Sequence, residues 1–277
     1  MHPAPDIAVP SPPRRQRPRG VPILMYHQVM SRPPREFQKY AVTPRAFAAQ
    51  MYWLALARYT PISLDDLIAH RYAGTSLPRR PVIITFDDGF QDCVDHAAPI
   101  LQSRGFTATF YLVAGLIGQP SRWLLPKVGI EFPLMTWSTA RDLQAAGFTC
   151  GAHSLTHPHL GDLPTEECRT ELKRSRELLE DRLGRAVTHL AYPFGSYDER
   201  VRKMTAELGY RSACSVSIGL SQPDDDLLAL HRVPVTGYDT LPDFICRVRT
   251  AHTVSELIPP RARRMWYRVR GLAGSAA

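Results

Sequence analysis

Two adjacent carboxylates, Asp87 and Asp88, follow the apolar run "PVIITF" (81–86) and precede Gly89. Neighbouring like charges repel, so the pair is costly unless a cation neutralises it. Two histidines four residues apart, His153 and His157, stand in "HSLTHPH". On a helical turn, positions i and i+4 share a face, so the spacing predicts two imidazoles that reach one metal ion. A carboxylate from elsewhere completes a two-histidine, one-acid set with positions open to water or substrate. One aspartate then binds metal while the other remains free for proton transfer. An H-x-x-x-H pair is weak evidence alone; a polar helix N-terminus and an acidic turn at Asp88-Gly89 are the competing readings.

Geometry adds a condition. Side chains alternate faces along a strand, so Asp87 and Asp88 enter one site only if the strand breaks between them. Gly89 is the residue expected to take the unusual backbone.

The elements that must position these residues are legible as alternation. Short apolar segments lie at 21–27, 81–86, 106–113, 148–154, 187–194, 210–217 and 227–235, most of them near-continuous, as in parallel strands covered on both faces. Helical periodicity fills the gaps. Thr43 caps a helix over 44–57, with Pro44 in its first turn. Ser63 and Asp66 form a capping-box pattern, and Gly184 and Gly209 end two later helices. This order implies one α/β unit, either an incomplete barrel or a doubly wound sheet, and both place chemistry at the C-terminal strand ends. His27, Asp87, Asp88, His153 and "YPFG" (192–195) fall there, and Arg232 lies within the last segment.

Of the 277 residues, 44% are hydrophobic and 22% charged, as in ordinary globular proteins. The +8 net charge resides entirely in the ends, +3 in residues 1–20 and +5 in 261–277. The body is neutral, which argues against a nucleic-acid partner. Residues 1–20 read as a disordered Pro/Arg-rich leader without a secretory signal. Residues 251–277 form a basic tail whose "RARRMWYRVRG" suits an anionic membrane surface, or packs back on the domain. Five scattered cysteines without a C-x-x-C pair fit reduced thiols, so a cytoplasmic protein is expected, with peripheral contact at the inner membrane face as an extension.

"TFDDG" followed by "HSLTH" resembles the polysaccharide deacetylases, the NodB-homology domain of carbohydrate esterase family 4. "VPILMYHQV" and "AYPFGSYD" resemble the branch containing poly-N-acetylglucosamine deacetylases. The likeness covers roughly residues 21–250. It implies a single-domain distorted (β/α)7 barrel that removes acetyl groups from N-acetylated sugars with a divalent metal, often zinc. It makes Asp87 the general base and Asp88, His153 and His157 the metal ligands. Tyr192, Pro193 and Phe194 become substrate contacts, with a backbone N–H of that turn on the oxyanion.

One departure stands out. The family's Arg-x-Pro-Tyr stretch here reads Ala191-Tyr192-Pro193-Phe194, without the arginine that orients the base. Arg232, grouped with the substrate contacts, is the candidate replacement, against a surface ion pair. His27 is preferred to His231 as general acid because it terminates its strand. Trp137 is weighed as a sugar platform against core packing, His159 is a weak metal candidate, and Asp92 and Asp95 are expected to cap or decorate the helix after "DDGF". The loop 114–134 is expected to wall a groove. The leading expectation is a metal-dependent N-deacetylase of an N-acetylhexosamine glycan or lipid-linked sugar. The rivals are a deformylase or deacylase of another amide, and a catalytically silent glycan binder.

Overall fold

The computed structural model describes residues 20–258. The basic segment after Pro260 and nearly all of the leader lie outside the described residues. Seven parallel strands form the centre: β1 (Ile23–Tyr26), β2 (Pro81–Phe86), β3 (Thr109–Leu112), β4 (Thr149–Ala152), β5 (His189–Ala191), β6 (Ser212–Ile218) and β7 (Leu230–Pro234). They pair in sequence from β2 to β7, and β1 pairs with both β7 and β2. The ring is therefore closed, with Leu24 opposite Val233 on one side and Ile84 on the other. This is a (β/α)7 barrel in one domain, and the doubly wound alternative is excluded.

The principal helices are α1 (Pro44–Leu56), α2 (Leu64–Ala73), α3 (Ala98–Gln102), α4 (Trp137–Ala145), α5 (Thr165–Leu183), α6 (Glu199–Glu207) and α7 (Leu241–Thr250). Their ends follow from local chemistry. Thr43 Oγ1 accepts from Ala46 N–H at the start of α1, and Ser63 and Asp66 form a reciprocal capping box on α2. Gly184 closes α5 in the left-handed region, at φ 65°. Gly209 lies one residue beyond the cap of α6, at φ 80°. Asp92 does not cap its helix; its carboxylate accepts a 3.4 Å bond from Val29 N–H.

Strand alternation sorts the core into two layers. Leu24, Ile84 and Phe86 face outward into the shell between strands and helices, where Phe86 stacks on Phe110 with centroids 4.7 Å apart. Ile23, Ile83, Tyr111, Cys214 and Leu230 face inward and pack with Leu64, Leu67 and Ile68 of α2. Helix α2 thus plugs the N-terminal end of the barrel with apolar side chains. Among the described residues, no helix is long and apolar enough to cross a membrane.

Candidate active site

The inward face of β2 carries Ile83, Thr85 and then Asp87, so the carboxylate of Asp87 enters the barrel by ordinary alternation. It meets Arg232. Nη1 and Nη2 of the guanidinium donate to Oδ1 and Oδ2 of Asp87, each at 2.7 Å. Nε donates to the Ser215 carbonyl at 2.8 Å, and Nη1 also reaches Thr85 Oγ1 at 3.3 Å. Leu230 faces inward, and Arg232, two residues on, takes the same face by ordinary alternation, although the pairing with β6 shifts between them. Burial pushes the Asp87 carboxyl upward, but Arg232 outweighs it and holds the group below the usual carboxylate value. Arg232 is wholly buried behind Asp87. It is neither a surface ion pair nor part of the cleft wall where a sugar would touch it.

Asp88 comes next and would point outward if the strand continued. Instead its own backbone is left-handed, at φ 75°, and Gly89 follows at φ 76°. The break therefore begins one residue earlier than the glycine alone predicts. A non-glycine residue pays about 1–2 kcal/mol for this conformation, and here it turns Asp88 toward the same side as Asp87. Burial opposes ionisation of Asp88, yet the His153 and His157 rings against it outweigh that and bring its carboxyl well below the ordinary range.

His153 leaves the end of β4. Its Nδ1 lies 2.7 Å from the Ala191 carbonyl; a carbonyl only accepts, so Nδ1 carries the proton and Nε2 presents its lone pair inward. His157 does not share a helical turn with His153. The segment between them is an irregular loop with Ser154 at φ 60° and His157 at φ 69°, and that bend, rather than a 3.6-residue period, brings the rings together. Burial pushes the His157 imidazole down to about 4, so it is neutral at pH 7. Its ring stacks under Trp123 at 4.4 Å and meets the edge of Phe194 at 4.5 Å.

Asp88 Oδ1 lies 3.3 Å from His153 Nε2 and 3.1 Å from His157 Nε2, and the two nitrogens are 3.2 Å apart. With His153 Nε2 unprotonated, three buried ligand atoms this close crowd their lone pairs unless a proton or a cation lies between them. Ligands at about 2.0–2.1 Å around a tetrahedral ion stand roughly 3.3–3.4 Å from one another, so the spacing and the N,N,O donor set fit a divalent cation. These three residues form a possible metal site.

The cluster opens into a cleft of about 620 Å³ at the C-terminal end of the barrel, bordered by His27, Asp87, Asp88, His153 and His157. That volume suits a small ligand or one end of a longer one. The expected groove loop supplies Trp123, Leu124, Lys127 and Val128 to one wall. Tyr192 and Phe194 also border the cleft, whereas Pro193 does not. Phe194 is left-handed at φ 57°, stacks on His159 at 4.1 Å and lies 3.8 Å from Lys127 Nζ. His159 is exposed and takes no part in the three-residue cluster. His231 lies outside the cleft, paired with Asp225 at 3.1 Å, so of the two candidate acids only His27 is at the site. Trp137 is also outside; it packs against the core with Arg182 over its ring. Trp123 is the aromatic residue that sequence reasoning missed, and its position in the 114–134 loop was the available signal.

Known proteins resemble this chain in sequence and fold. The polysaccharide deacetylase family model matches residues 74–213. The chain is 26% identical over 223 residues to the putative polysaccharide deacetylase YxkH of Bacillus subtilis, covering 80% of this chain and 74% of that protein. It is also 26% identical over 239 residues to the poly-β-1,6-N-acetyl-D-glucosamine N-deacetylase of Staphylococcus epidermidis, covering 79% and 80%. The structure of the putative polysaccharide deacetylase BA0330 from Bacillus anthracis aligns with a TM-score of 0.68 at 27% identity, over 83% of this chain and 69% of that one. Streptococcus pyogenes deacetylase PplD aligns with a TM-score of 0.72 at 23% identity, over 84% and 99%, a likeness of fold. The family match encloses Asp87, Asp88, His153, His157 and the Tyr192–Phe194 turn, while His27 and Arg232 flank it on either side. Spanning half of the chain, it shows that the protein belongs to the polysaccharide deacetylase family.

Proposed function

We propose that the protein is a metal-dependent hydrolase that removes N-acetyl groups from an N-acetylhexosamine in a glycan or a lipid-linked sugar. The observation that carries this reading is the adjacency of two differently treated aspartates: Asp88 within 3.3 Å of two histidine nitrogens, and Asp87 gripped by Arg232 beside it. Asp88, His153 and His157 would hold the ion, for which their donor set favours zinc. When bound, a divalent ion polarises the acetyl carbonyl and acidifies the attacking water.

The remaining work falls to side chains and backbone. Asp87 takes the proton from the attacking water as the general base. Arg232 fixes both of its oxygens and keeps it ionised, which supports its assignment as the replacement for the arginine missing at Ala191. In the Tyr192–Ser196 turn, the amides of Tyr192, Gly195 and Ser196 donate to Cys214, Tyr192 and Pro193 carbonyls, and proline has none. That leaves the Phe194 N–H as the turn's candidate donor to the tetrahedral oxyanion. His27, on the opposite side of the chain's motifs but in the same cleft, delivers the proton that lets the amine depart. Phe194 and Trp123 offer apolar ring surface to the sugar.

The test is to measure the metal content of the purified full-length protein and then incubate it with N-acetylated oligosaccharides. Stoichiometric zinc and loss of acetyl groups by mass spectrometry, with acetate rather than formate released, is the expected result. Formate release from a formylated amino sugar would transfer the site to the deformylase reading. Glycan binding without turnover in the metal-loaded protein would transfer it to the silent relative.

A further inference from the structure

The two histidines of the cluster are held by unlike means. His153 is anchored through its own ring to the Ala191 carbonyl. The Nδ1 of His157 is buried and makes no hydrogen bond among the described residues. Its position therefore depends on ring packing and on the four-residue loop that delivers it. That loop is unfavourable in isolation, because Ser154 and His157 both have left-handed backbones, a conformation that L-residues adopt only when surrounding structure imposes it.

One side chain imposes much of it. Glu171, in the second turn of α5, accepts the N–H groups of Leu155 and Thr156 on Oε2, both at 2.9 Å. Its Oε1 accepts the Thr156 hydroxyl at 2.7 Å. All three donors lie between His153 and His157. The loop's opposite side is tied by Ala114 N–H to the Ser154 carbonyl at 3.1 Å and Gly115 N–H to the Leu155 carbonyl at 2.8 Å. A Cβ on Gly115 would lie 2.7 Å from the Leu155 oxygen, so this approach requires glycine. Within the loop, His157 N–H donates to Ser154 Oγ at 2.9 Å.

We propose that Glu171 is a positioning residue for the metal site. By freezing the Leu155–Thr156 backbone it does for His157 what the Ala191 carbonyl does for His153, and so sets metal affinity from outside the cleft. The inference rests on the metal reading above. A carboxylate suits the task because it is acceptor-only and can serve three converging donors at once; glutamine retains one acceptor oxygen and places an N–H₂ against a donor.

The experiment titrates zinc alone into the metal-stripped full-length protein, in competition with a chromophoric chelator. Glu171→Ala should weaken the zinc dissociation constant 10- to 100-fold, the usual range for outer residues that orient ligands, with Glu171→Gln falling between. Glu180→Ala is the control for general damage to α5. Glu180 accepts from Arg176 at 2.9 Å and from Val187 N–H at 3.0 Å without touching the loop. It should lower the melting temperature and leave zinc affinity within about twofold. If Glu171→Ala does not fold, Glu171→Gln and Thr156→Val carry the same comparison with fewer bonds removed. Equal zinc affinity in wild type and the Glu171 variants, or an equal loss in Glu180→Ala, overturns the proposal. A wild-type protein that takes up no divalent metal overturns the metal reading beneath it.

Discussion

Both ends of the barrel bury a histidine beside a carboxylate. At the N-terminal end, His189 Nδ1 lies 2.9 Å from Ser212 Oγ and its Nε2 lies 3.4 Å from Asp65, which also pairs with Arg211 at 2.8 Å. Serine, histidine and aspartate in that order have the connectivity of a nucleophilic triad. Yet Ser212 is wholly buried, α2 covers this end, and His189 and Ser212 sit on regular strand backbone. No substrate reaches that hydroxyl. At the C-terminal end, the acids and imidazoles open into a cleft and ride on distorted backbone. Of the six described non-glycine residues in the left-handed region, Asp88, Ser154, His157 and Phe194 all belong to the site or its loop. Both ends thus pair a histidine with a carboxylate and an arginine with a carboxylate. Access and stored backbone strain separate a site from a buried polar strut.

The contrast can be broken most severely by His153→Ala, which should abolish both metal uptake and turnover, read by metal analysis and acetate release. Asp87→Asn should lower kcat by about 10²–10⁴, the usual contribution of a general base, while metal content stays near wild type; loss of metal as well would assign Asp87 to the ligand set. Arg232→Met leaves Asp87 buried without its partner and should cost about 3–5 kcal/mol in urea denaturation at pH 7. Its sign with pH follows from the depressed Asp87 pKa. The pair stabilises the fold above the unfolded carboxylate value of about 3.9 and is lost as pH falls through the lower folded value. The gap between variant and wild type should therefore close in acid, and the acid limb of kcat/KM should move to higher pH in the variant. At the other end, Ser212→Ala should reduce stability by about 1–3 kcal/mol by leaving His189 short of a partner, with kcat within twofold. Asp65→Asn, on a carboxylate whose side chain is 54% exposed, should change stability by no more than about 1 kcal/mol. A large loss of turnover in either variant would erase the distinction between the two ends.

Much of this was readable in the chain. All seven barrel strands were visible as apolar runs, because buried parallel strands need no alternation to declare themselves, and the reactive residues stood at their ends. Barrel closure was not visible. It depends on β1 pairing with both β2 and β7, a contact between distant segments that no local pattern encodes. The His153–His157 spacing was assigned to a helix because four residues match its period, whereas the chain bends through Ser154 and His157 at a strain compensated by α5 and Gly115. Trp137 and Trp123 were indistinguishable by type; only the path of the 114–134 loop turns one toward the cleft. Arg232 was identified as a partner for Asp87 from its place in the last segment, but which face of that strand looks into the barrel depends on packing between distant segments and has no local sequence signature.

Ring closure also limits how this protein can be dissected. A fragment ending near residue 213 would retain both aspartates and both histidines, yet it would lack the strand that carries the counter-charge of Asp87. It would also present unpaired strand edges to solvent, an invitation to self-association. Motif content is therefore a poor guide to a minimal working unit, because the first and last barrel strands, remote in the chain, are each other's neighbours.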